Sequence, residues 1–134
     1  MSIRYLLDTN ILSYLIREPQ GIIYQKLQTV AENEISTSII VASELRYGAV
    51  RRGSAQLSAK VDDLLSCLNI LPLGTQVDQH YAEIRSLLEQ QGQLIGGNDL
   101  LIAAHTRALD LTLVSNNIKE FQRVPQLKLE NWFI

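Results

Sequence analysis

The sequence predicts an α/β domain, a three-layer α/β/α sandwich in which a mostly parallel sheet lies between helices. Short apolar segments that suit buried strands alternate with longer segments whose apolar residues recur every three or four positions. Strands that alternate with helices form parallel sheets, and right-handed crossovers place helices on both faces. A length of 134 residues suits one compact domain, so we expect residues 1–134 to fold as a single unit.

The chain is expected to begin with a strand and two helices. Residues 4–7 form an apolar run that ends at Asp8, which predicts a buried strand followed by a helix start. The next helix has apolar residues at helical spacing from Ile11 onward. Pro19 ends it, because the residue before a proline is disfavoured in the α conformation. A second helix is expected over residues 20–31.

The middle of the chain continues the alternation. Residues 34–38 predict a second strand, and the following helix is expected over residues 41–52, ending at Gly53. Leucines and valines at three- and four-residue steps predict a helix over residues 54–67. Residues 69–73 are a weaker strand candidate.

The C-terminal third adds two long helices and two strands. Val77, Ile84 and Leu88 mark an amphipathic helix that closes at Gly92. Residues 99–109 predict a largely apolar helix. The remaining segments predict a strand, a short helical turn and a last strand, over residues 112–115, 118–121 and 127–130.

The composition narrows the class of protein. A hydrophobic fraction of 46% and a charged fraction of 19% are typical of a globular chain. Cys67 is the only cysteine, which excludes an intrachain disulfide and leaves no basis for a thiolate metal site. The apolar stretch before Asp8 is too short for a signal peptide, and no run approaches the roughly 18 apolar residues of a membrane span. We therefore expect a cytoplasmic protein that does not enter a membrane.

The net charge of −2 does not decide whether the protein binds nucleic acid. Phosphate contacts need lysine and arginine, and 14 acidic residues outnumber 12 basic ones. If Asp8, Glu44 and Asp99 bind metal, 14 minus 3 leaves 11 acidic residues against 12 basic ones. A nucleic-acid substrate is therefore compatible with the composition.

Asp8 lies where parallel sheets place their sites, beyond the carboxyl end of a strand. It directly follows the first predicted strand and precedes a predicted helix. Aspartate is also a favoured helix N-cap, and an Asp-Thr-Asn sequence before a helix is common capping chemistry. Both interpretations of Asp8 stay open from the sequence.

Glu44 is harder to explain as a structural residue. It shares a helical face with Val41, Leu45 and Gly48, and this face is expected to point towards the sheet. An ionised carboxylate there costs several kcal/mol unless something pairs with it. A bound cation or an arginine would satisfy the charge, and Gly48 leaves room for a side chain or a ligand.

Asp99 lies in the first turn of an otherwise apolar helix. Its structural interpretation is a favourable interaction with the helix dipole, worth about 0.3–1 kcal/mol. We expect Asn98 to be the N-cap. The preceding Gly96-Gly97 pair allows the backbone to turn sharply or to approach a phosphate closely.

Together these residues predict a metal site. Clustered carboxylates repel one another, so such a cluster needs a bound cation or raised pKa values. The Asn116-Asn117 pair adds polar groups after the fourth strand. Ligation by oxygen alone favours Mg²⁺ or Mn²⁺ over zinc.

The two histidines are not expected to take part in chemistry. His105 lies six residues after Asp99, roughly 240° around the helix, so it should point elsewhere. His80 is expected to face solvent. The sequence contains no G-x-S-x-G elbow, P-loop or G-x-G-x-x-G fingerprint.

Four ordered blocks of sequence resemble a known family. They are Leu-Leu-Asp-Thr-Asn at 6–10, Ser-Glu-Leu-Arg-Tyr-Gly at 43–48, Ile-Gly-Gly-Asn-Asp-Leu-Leu-Ile-Ala-Ala-His at 95–105, and Leu-Val-Ser-Asn-Asn-Ile-Lys-Glu-Phe at 113–121. The pattern, together with the closing Leu-Glu-Asn-Trp at 129–132, resembles PIN-domain proteins of the VapC group. The likeness runs nearly from end to end.

The resemblance implies an α/β/α sandwich that cuts RNA with Mg²⁺ or Mn²⁺ held by acidic residues. Asp8, Glu44 and Asp99 match the first three acids of the family, and the RNA substrates of similar toxins include tRNA. The fourth acidic position falls on Asn117, whose amide adds no negative charge, so a second ion would need the substrate phosphate. Asn117 also has a structural interpretation, a capping box with Glu120.

Further residues are expected to support this site. Asp8 and Asp99 are the expected direct metal ligands, and Glu44 is a ligand or holds a metal-bound water. The candidate supporting residues are Thr9, Asn10, Ser115, Asn116 and Glu120, with Ser115 and Asn117 orienting water. The candidate phosphate contacts are Arg46, Arg51, Arg52, Lys119 and Arg123.

The resemblance also implies protein partners. Toxins of this group are inhibited by a small VapB-like antitoxin that lies across the active-site groove, and they usually form homodimers. Ile11, Leu12 and Leu15 are candidates for such an interface. The alternative is that these residues belong to the core, and the sequence leaves both open.

Two functions other than a nuclease share part of this sequence pattern. A haloacid-dehalogenase-type phosphatase also has an aspartate after its first strand, but it needs an acid two residues later, where this chain has Asn10. A binding module without catalysis is the other alternative, in which the replaced fourth acid marks lost activity.

Overall fold

The structure, a computed structural model, describes residues 2–134. Its five strands form one sheet in the order β3-β2-β1-β4-β5, and every neighbouring pair is parallel. The strands are β1 (Tyr5–Leu7), β2 (Ile35–Ser38), β3 (Asn69–Leu71), β4 (Thr112–Val114) and β5 (Lys128–Glu130). This confirms the predicted α/β fold with a parallel sheet.

Within residues 2–134, seven α-helices cover the sheet. They are α1 (Thr9–Arg17), α2 (Ile22–Leu27), α3 (Ile39–Arg52), α4 (Ala55–Ser66), α5 (Val77–Gln90), α6 (Gly97–Ala108) and α7 (Ile118–Phe121). Within residues 2–134, none of the helices is both long enough and apolar enough to cross a lipid bilayer.

The strand order indicates that a ligand site would lie at the carboxyl end of β1, the central strand. The chain builds β2 and β3 on one side of β1 and then returns to add β4 and β5 on the other. Ligands of open parallel sheets bind in the crevice that forms where the strand order reverses. Asp8 follows β1 at this crevice, and its amide donates to the Val114 carbonyl at the end of β4.

Most element boundaries agree with the sequence, with two corrections. The second helix spans Ile22–Leu27 instead of residues 20–31, because both the amide and the hydroxyl of Thr29 bond to the Lys26 carbonyl and close the last turn. Asn98 is not the N-cap of α6. That position is Gly96, and Asn98 lies within the first turn of the helix. Gly53 does end α3 in the left-handed conformation, as predicted.

Burial in the structure shows whether the apolar residues of α1 belong to the core or to a partner interface. Ile11 and Leu12 are fully buried, so the suggestion that they form a partner interface is wrong. Both side chains belong to the hydrophobic core, which removes their apolar surface from water. Leu15 is only partly buried at the edge of the same core.

Ser38 joins the two helices that carry Glu44 and Asp99. Its side chain caps α3 by accepting from the Ile40 amide at 3.0 Å, and it also bonds to Nδ1 of His105 on α6 at 2.8 Å. Both residues are fully buried. The histidine is therefore a structural link between α3 and α6.

We expect Ser38→Ala to destabilise the protein more than an ordinary cap deletion. Loss of the cap costs about 1 kcal/mol, and leaving His105 without its partner adds about 1–3 kcal/mol. Urea unfolding measures the change. Ser54→Ala is the matched control, because Ser54 caps α4 through the Leu57 amide and should cost only about 1 kcal/mol. Equal losses in the two variants would contradict the link through His105.

Candidate functional site

A pocket of about 470 Å³ lies at the carboxyl ends of β1 and β4. It brings together residues from α1, α3, α6 and the segment after β4. Its lining includes the predicted site residues Asp8, Glu44, Asp99 and Asn117, together with the supporting residues Thr9, Asn10 and Asn116. Segments far apart in sequence therefore meet at one place, as the sequence predicted.

Asp8 is almost completely buried, with 4% of its surface exposed. Its Oδ1 accepts from the Thr9 amide at 2.8 Å, and its Oδ2 accepts from the Ser115 hydroxyl at 2.7 Å. Burial raises the pKa of Asp8, the two hydrogen bonds oppose this rise, and the charge of Glu44 adds to it. Asp8 is thus the N-cap of α1 and a pocket residue at once.

Glu44 points into the pocket without a basic partner. Among residues 2–134, no lysine or arginine forms an ion pair with it, so the arginine alternative is wrong. Its carboxylate instead accepts from the Thr9 hydroxyl at 2.5 Å and from the Asn98 amide at 3.3 Å. Neutral donors hold the side chain in position and leave its negative charge uncompensated.

Asp99 has the clearest electrostatic signature of the site. Its pKa is raised from 3.8 to about 6, first because it is partly buried and then because Asp8, Glu44 and Glu120 are nearby. Like charges in a low-dielectric setting disfavour ionisation. The position therefore favours a bound proton or a bound cation.

Three asparagines complete the polar lining. Nδ2 of Asn10 donates to Oδ1 of Asn116, while the buried Oδ1 of Asn10 has no hydrogen-bond partner within residues 2–134. Asn117 is the N-cap of α7, yet its side chain makes no capping hydrogen bond, so the predicted capping box with Glu120 is wrong. These amides offer neutral oxygen ligands beside the carboxylates.

Two of the expected supporting residues lie outside the pocket lining. Ser115 is fully buried, and its hydroxyl donates to Asp8 and accepts from the Asn117 amide at 2.9 Å. It therefore positions a carboxylate, which corrects the expectation that it orients water. Glu120 reaches the site only through its charge, which raises the pKa of Asp99.

The donors present suit a hard divalent cation. No histidine or cysteine lines the pocket, and carboxylate and amide oxygens are what Mg²⁺ and Mn²⁺ prefer. Among residues 2–134, no three acidic, histidine or cysteine side chains lie close enough together to hold one ion between them. The hydrogen bonds of Glu44 with Thr9 and Asn98 keep that carboxylate occupied in this arrangement.

The histidines are outside the site, as expected. His105 is fully buried against Ser38, and burial lowers its pKa while the nearby Pro72 carbonyl offsets part of this effect. His80 does not simply face solvent, because its Nδ1 accepts from Nε of Arg107 at 2.8 Å. Neither residue lines the pocket.

Most predicted phosphate contacts are placed elsewhere. Arg46 pairs with Asp62, and Arg123 lies near the carbonyls of Gln93 and Leu94. The exposed Arg51 and Lys119 do not line the pocket. Arg52 lines a groove that continues from the pocket.

Sequence reasoning missed four lining residues, Ser13, Tyr14, Arg17 and Phe133. The rings of Tyr14 and Phe133 pack edge to face at 4.9 Å and form an aromatic wall. A signal for two of them existed: Thr9, Ser13 and Arg17 are spaced four residues apart and so share one face of α1. Phe133 had no such signal, because the C-terminal segment reaches the site only through tertiary folding.

Comparison with known proteins decides the family. A family model described as PIN domain matches residues 5–127. The chain belongs to the PIN-domain family. This match decides against the phosphatase alternative, which needs an acidic residue at position 10, where this chain has an asparagine.

This PIN domain has relatives that match it over nearly their full length. It is 46% identical over 130 residues to ribonuclease VapC2 of Rickettsia felis, covering 96% of this chain and 97% of the relative. It is 30% identical over 131 residues to the tRNA(fMet)-specific endonuclease VapC of Salmonella typhimurium, covering 97% and 98%.

Solved structures show the same architecture. The VapBC2 structure from Rickettsia felis, bound to a promoter DNA fragment, matches with a TM-score of 0.89 at 45% identity, covering 97% of this chain and 99% of that one. The DNA-bound VapBC structure from Salmonella typhimurium matches with a TM-score of 0.89 at 31% identity, covering 97% and 98%.

We expect Asp99→Asn to stabilise the metal-free PIN domain in a pH-dependent way. Because the folded-state pKa is raised from 3.8 to about 6, the folded state binds more protons in this range and the free energy of unfolding falls as pH rises. The destabilisation caused by ionising Asp99 in the folded protein is absent below pH 3.8 and fully present above about pH 6. Urea unfolding of both proteins in EDTA should show the variant's advantage growing between these limits. An advantage that does not change with pH would contradict the prediction.

Proposed function

We propose that this PIN domain is a Mg²⁺- or Mn²⁺-dependent endoribonuclease toxin that a VapB-like antitoxin neutralises. One observation carries the proposal: Asp8, Glu44 and Asp99 come from three separate elements and line one pocket. The groups in that pocket that could bind a metal do so through oxygen, since no histidine or cysteine lines it. Unpaired carboxylates that share a pocket repel, so they suit the binding of a divalent cation.

Asp8 and Asp99 would hold the metal directly, and Glu44 would act through a bound water. Mg²⁺ in proteins usually takes one or two carboxylates and keeps several waters, which agrees with the absence of a three-residue cluster among residues 2–134. The unpartnered oxygen of Asn10 is a further candidate ligand. When bound, the ion lowers the pKa of a water ligand and neutralises charge on the phosphate.

The surrounding residues keep the carboxylates in place. The Ser115 hydroxyl and the Thr9 amide bind the two oxygens of Asp8, so this side chain cannot rotate freely. Thr9 and Asn98 restrain Glu44 in the same way. Such hydrogen bonds to ligating carboxylates preorganise a metal site. Arg17 at the rim supplies a positive charge for a substrate phosphate.

Support for RNA as the substrate comes from the relatives. The matched proteins are named ribonuclease VapC, and the Salmonella relative is named for tRNA(fMet). The aromatic wall of Tyr14 and Phe133 gives an exposed base a surface on which to stack. We therefore propose single-stranded or loop RNA, with tRNA as the first substrate to test.

Support for an antitoxin comes from the solved relatives, which are VapBC complexes. We propose that a VapB-like protein covers the active-site groove of this chain, that the toxin forms a homodimer, and that it acts in the cytoplasm. The homodimer rests on the family resemblance, and the cytoplasmic location rests on the single cysteine of the sequence.

A second function is favoured by one observation, the amide of Asn117 at the fourth acidic position. A chain that lacks this charge could bind RNA without cutting it. In the nuclease proposal, the substrate phosphate supplies the missing charge for a second ion. The tests below separate the two functions.

We expect Asp8→Asn and Asp99→Asn each to lower Mg²⁺-dependent RNA cleavage by about 100-fold or more. A metal ion contributes several kcal/mol to transition-state stabilisation, and each 1.36 kcal/mol is a factor of about ten. Cleavage of labelled tRNA measures the loss, with circular dichroism to verify folding. Undiminished cleavage by both folded variants would refute the metal-nuclease proposal, while no cleavage by the unmodified protein with either metal would favour the binding module.

We expect Asn117→Asp to strengthen binding of Mn²⁺ at the pocket by at least about tenfold. An added carboxylate near a divalent ion contributes more than the 1.4 kcal/mol that corresponds to this factor. Isothermal titration measures the affinity. Asn33→Asp adds the same charge at an exposed position in the Glu32–Glu34 turn and serves as the control. An equal effect in both variants would show that Asn117 has no special place at the metal.

A further inference from the structure

A groove leads away from the acidic pocket between α1, α3 and α4. A second pocket of about 240 Å³ shares Thr9, Ser13, Arg17 and Glu44 with the first. A third of about 260 Å³ shares Arg17 and Arg52 with the second. The shared residues make the three pockets continuous, and we call the second and third of them together the basic groove.

Three cations line the basic groove, each from a different helix: Arg17 of α1, Arg52 of α3 and Lys60 of α4. Among residues 2–134, none of them forms an ion pair with an acid. Beyond Glu44 at its inner end, the groove is lined by no acidic residue. Its outer part therefore carries uncompensated positive charge next to an uncompensated negative site.

The floor of the groove is open and apolar. Leu45 and Ala49 of α3 lie on either side of Gly48, and a Cβ added at Gly48 would meet nothing within 4 Å. From Glu44 to Arg52 the helix rises over eight residue steps, which is about 12 Å. The groove is thus long enough for more than one phosphate of a strand whose scissile bond lies at the acidic pocket.

We propose that the basic groove binds the backbone of the RNA strand on one side of the cleaved bond, through Arg17, Arg52 and Lys60. The inference rests on the proposed nuclease function and extends it. A pocket of unpaired carboxylates repels phosphate, so a strand must be held by cations beside it. Positively charged grooves track single strands in this way, with apolar surface under the bases and sugars. An acidic peptide from an antitoxin is the competing occupant, which the test distinguishes.

The test measures RNA binding without cleavage. In the Asp8→Asn background and in EDTA, fluorescence anisotropy gives the affinity for a labelled single-stranded RNA of mixed sequence over a series of salt concentrations. Arg52→Ala and Lys60→Ala should each lower the slope of log K against log salt by about 0.7, the value for one phosphate contact on a single strand. If a variant and the unmodified protein bind equally at 1 M salt, a slope lower by this amount makes the variant bind about fivefold more weakly at 0.1 M salt.

Arg51→Ala is the matched control, because Arg51 is the exposed neighbour of Arg52 in the last turn of α3 and does not line the groove. It should leave the slope unchanged. Gly48→Leu provides a second test without loss of a charge: the added side chain replaces a helix-disfavouring glycine and projects into open space, so the protein should fold and bind RNA less tightly.

The outcomes separate this inference from the proposed function. If RNA binding depends on Arg52 and Lys60 but no metal supports cleavage, only the nuclease proposal fails. If cleavage occurs but Arg52→Ala keeps the unmodified slope, or Arg51→Ala lowers it equally, the basic groove is overturned as an RNA site. Weaker binding of a VapB-like antitoxin, with RNA binding intact, would assign the groove to the antitoxin instead.

Discussion

The repulsion among Asp8, Glu44 and Asp99 is the constraint to which the rest of the site responds. The fold brings these carboxylates into one partly buried pocket and gives Asp8 and Glu44 hydrogen-bond donors instead of basic partners. Burial and mutual repulsion raise the pKa values of both aspartates. Such an arrangement suits a positive charge that the chain itself does not provide, which is the physical basis for proposing a divalent cation here.

The scaffold holds this unfavourable cluster by distributing it over separate elements. The sheet supports Asp8, which is fixed at both oxygens by Thr9 and Ser115. Helices α3 and α6 carry the other two acids, and the buried pair of Ser38 and His105 joins these helices behind the site. Packing of the apolar core stabilises the elements, so the local penalty of the pocket is tolerated.

The proposed function depends on two neighbouring electrostatic fields of opposite sign. The acidic pocket suits a cation, while the adjoining groove with Arg17, Arg52 and Lys60 suits a polyanion. A metal-dependent nuclease needs both, because the metal acts at one phosphate and the flanking phosphates must be held beside it. The net charge of −2 conceals this separation, since it averages the two fields.

The sequence by itself determined the α/β fold, the positions of most elements and the three acids that meet in the candidate pocket. The signals were local: periods of two and 3.6 residues, and carboxylates in apolar segments where a charge needs an explanation. The points that it left open or predicted wrongly were at places where distant residues compete. Tertiary packing buried Ile11 and Leu12, Ser115 became a partner of Asp8, and the amide of Asn98 turned to Glu44. Only the tertiary structure decided which charges remain unpaired, because an ion pair depends on the distance between side chains that the sequence separates by many residues.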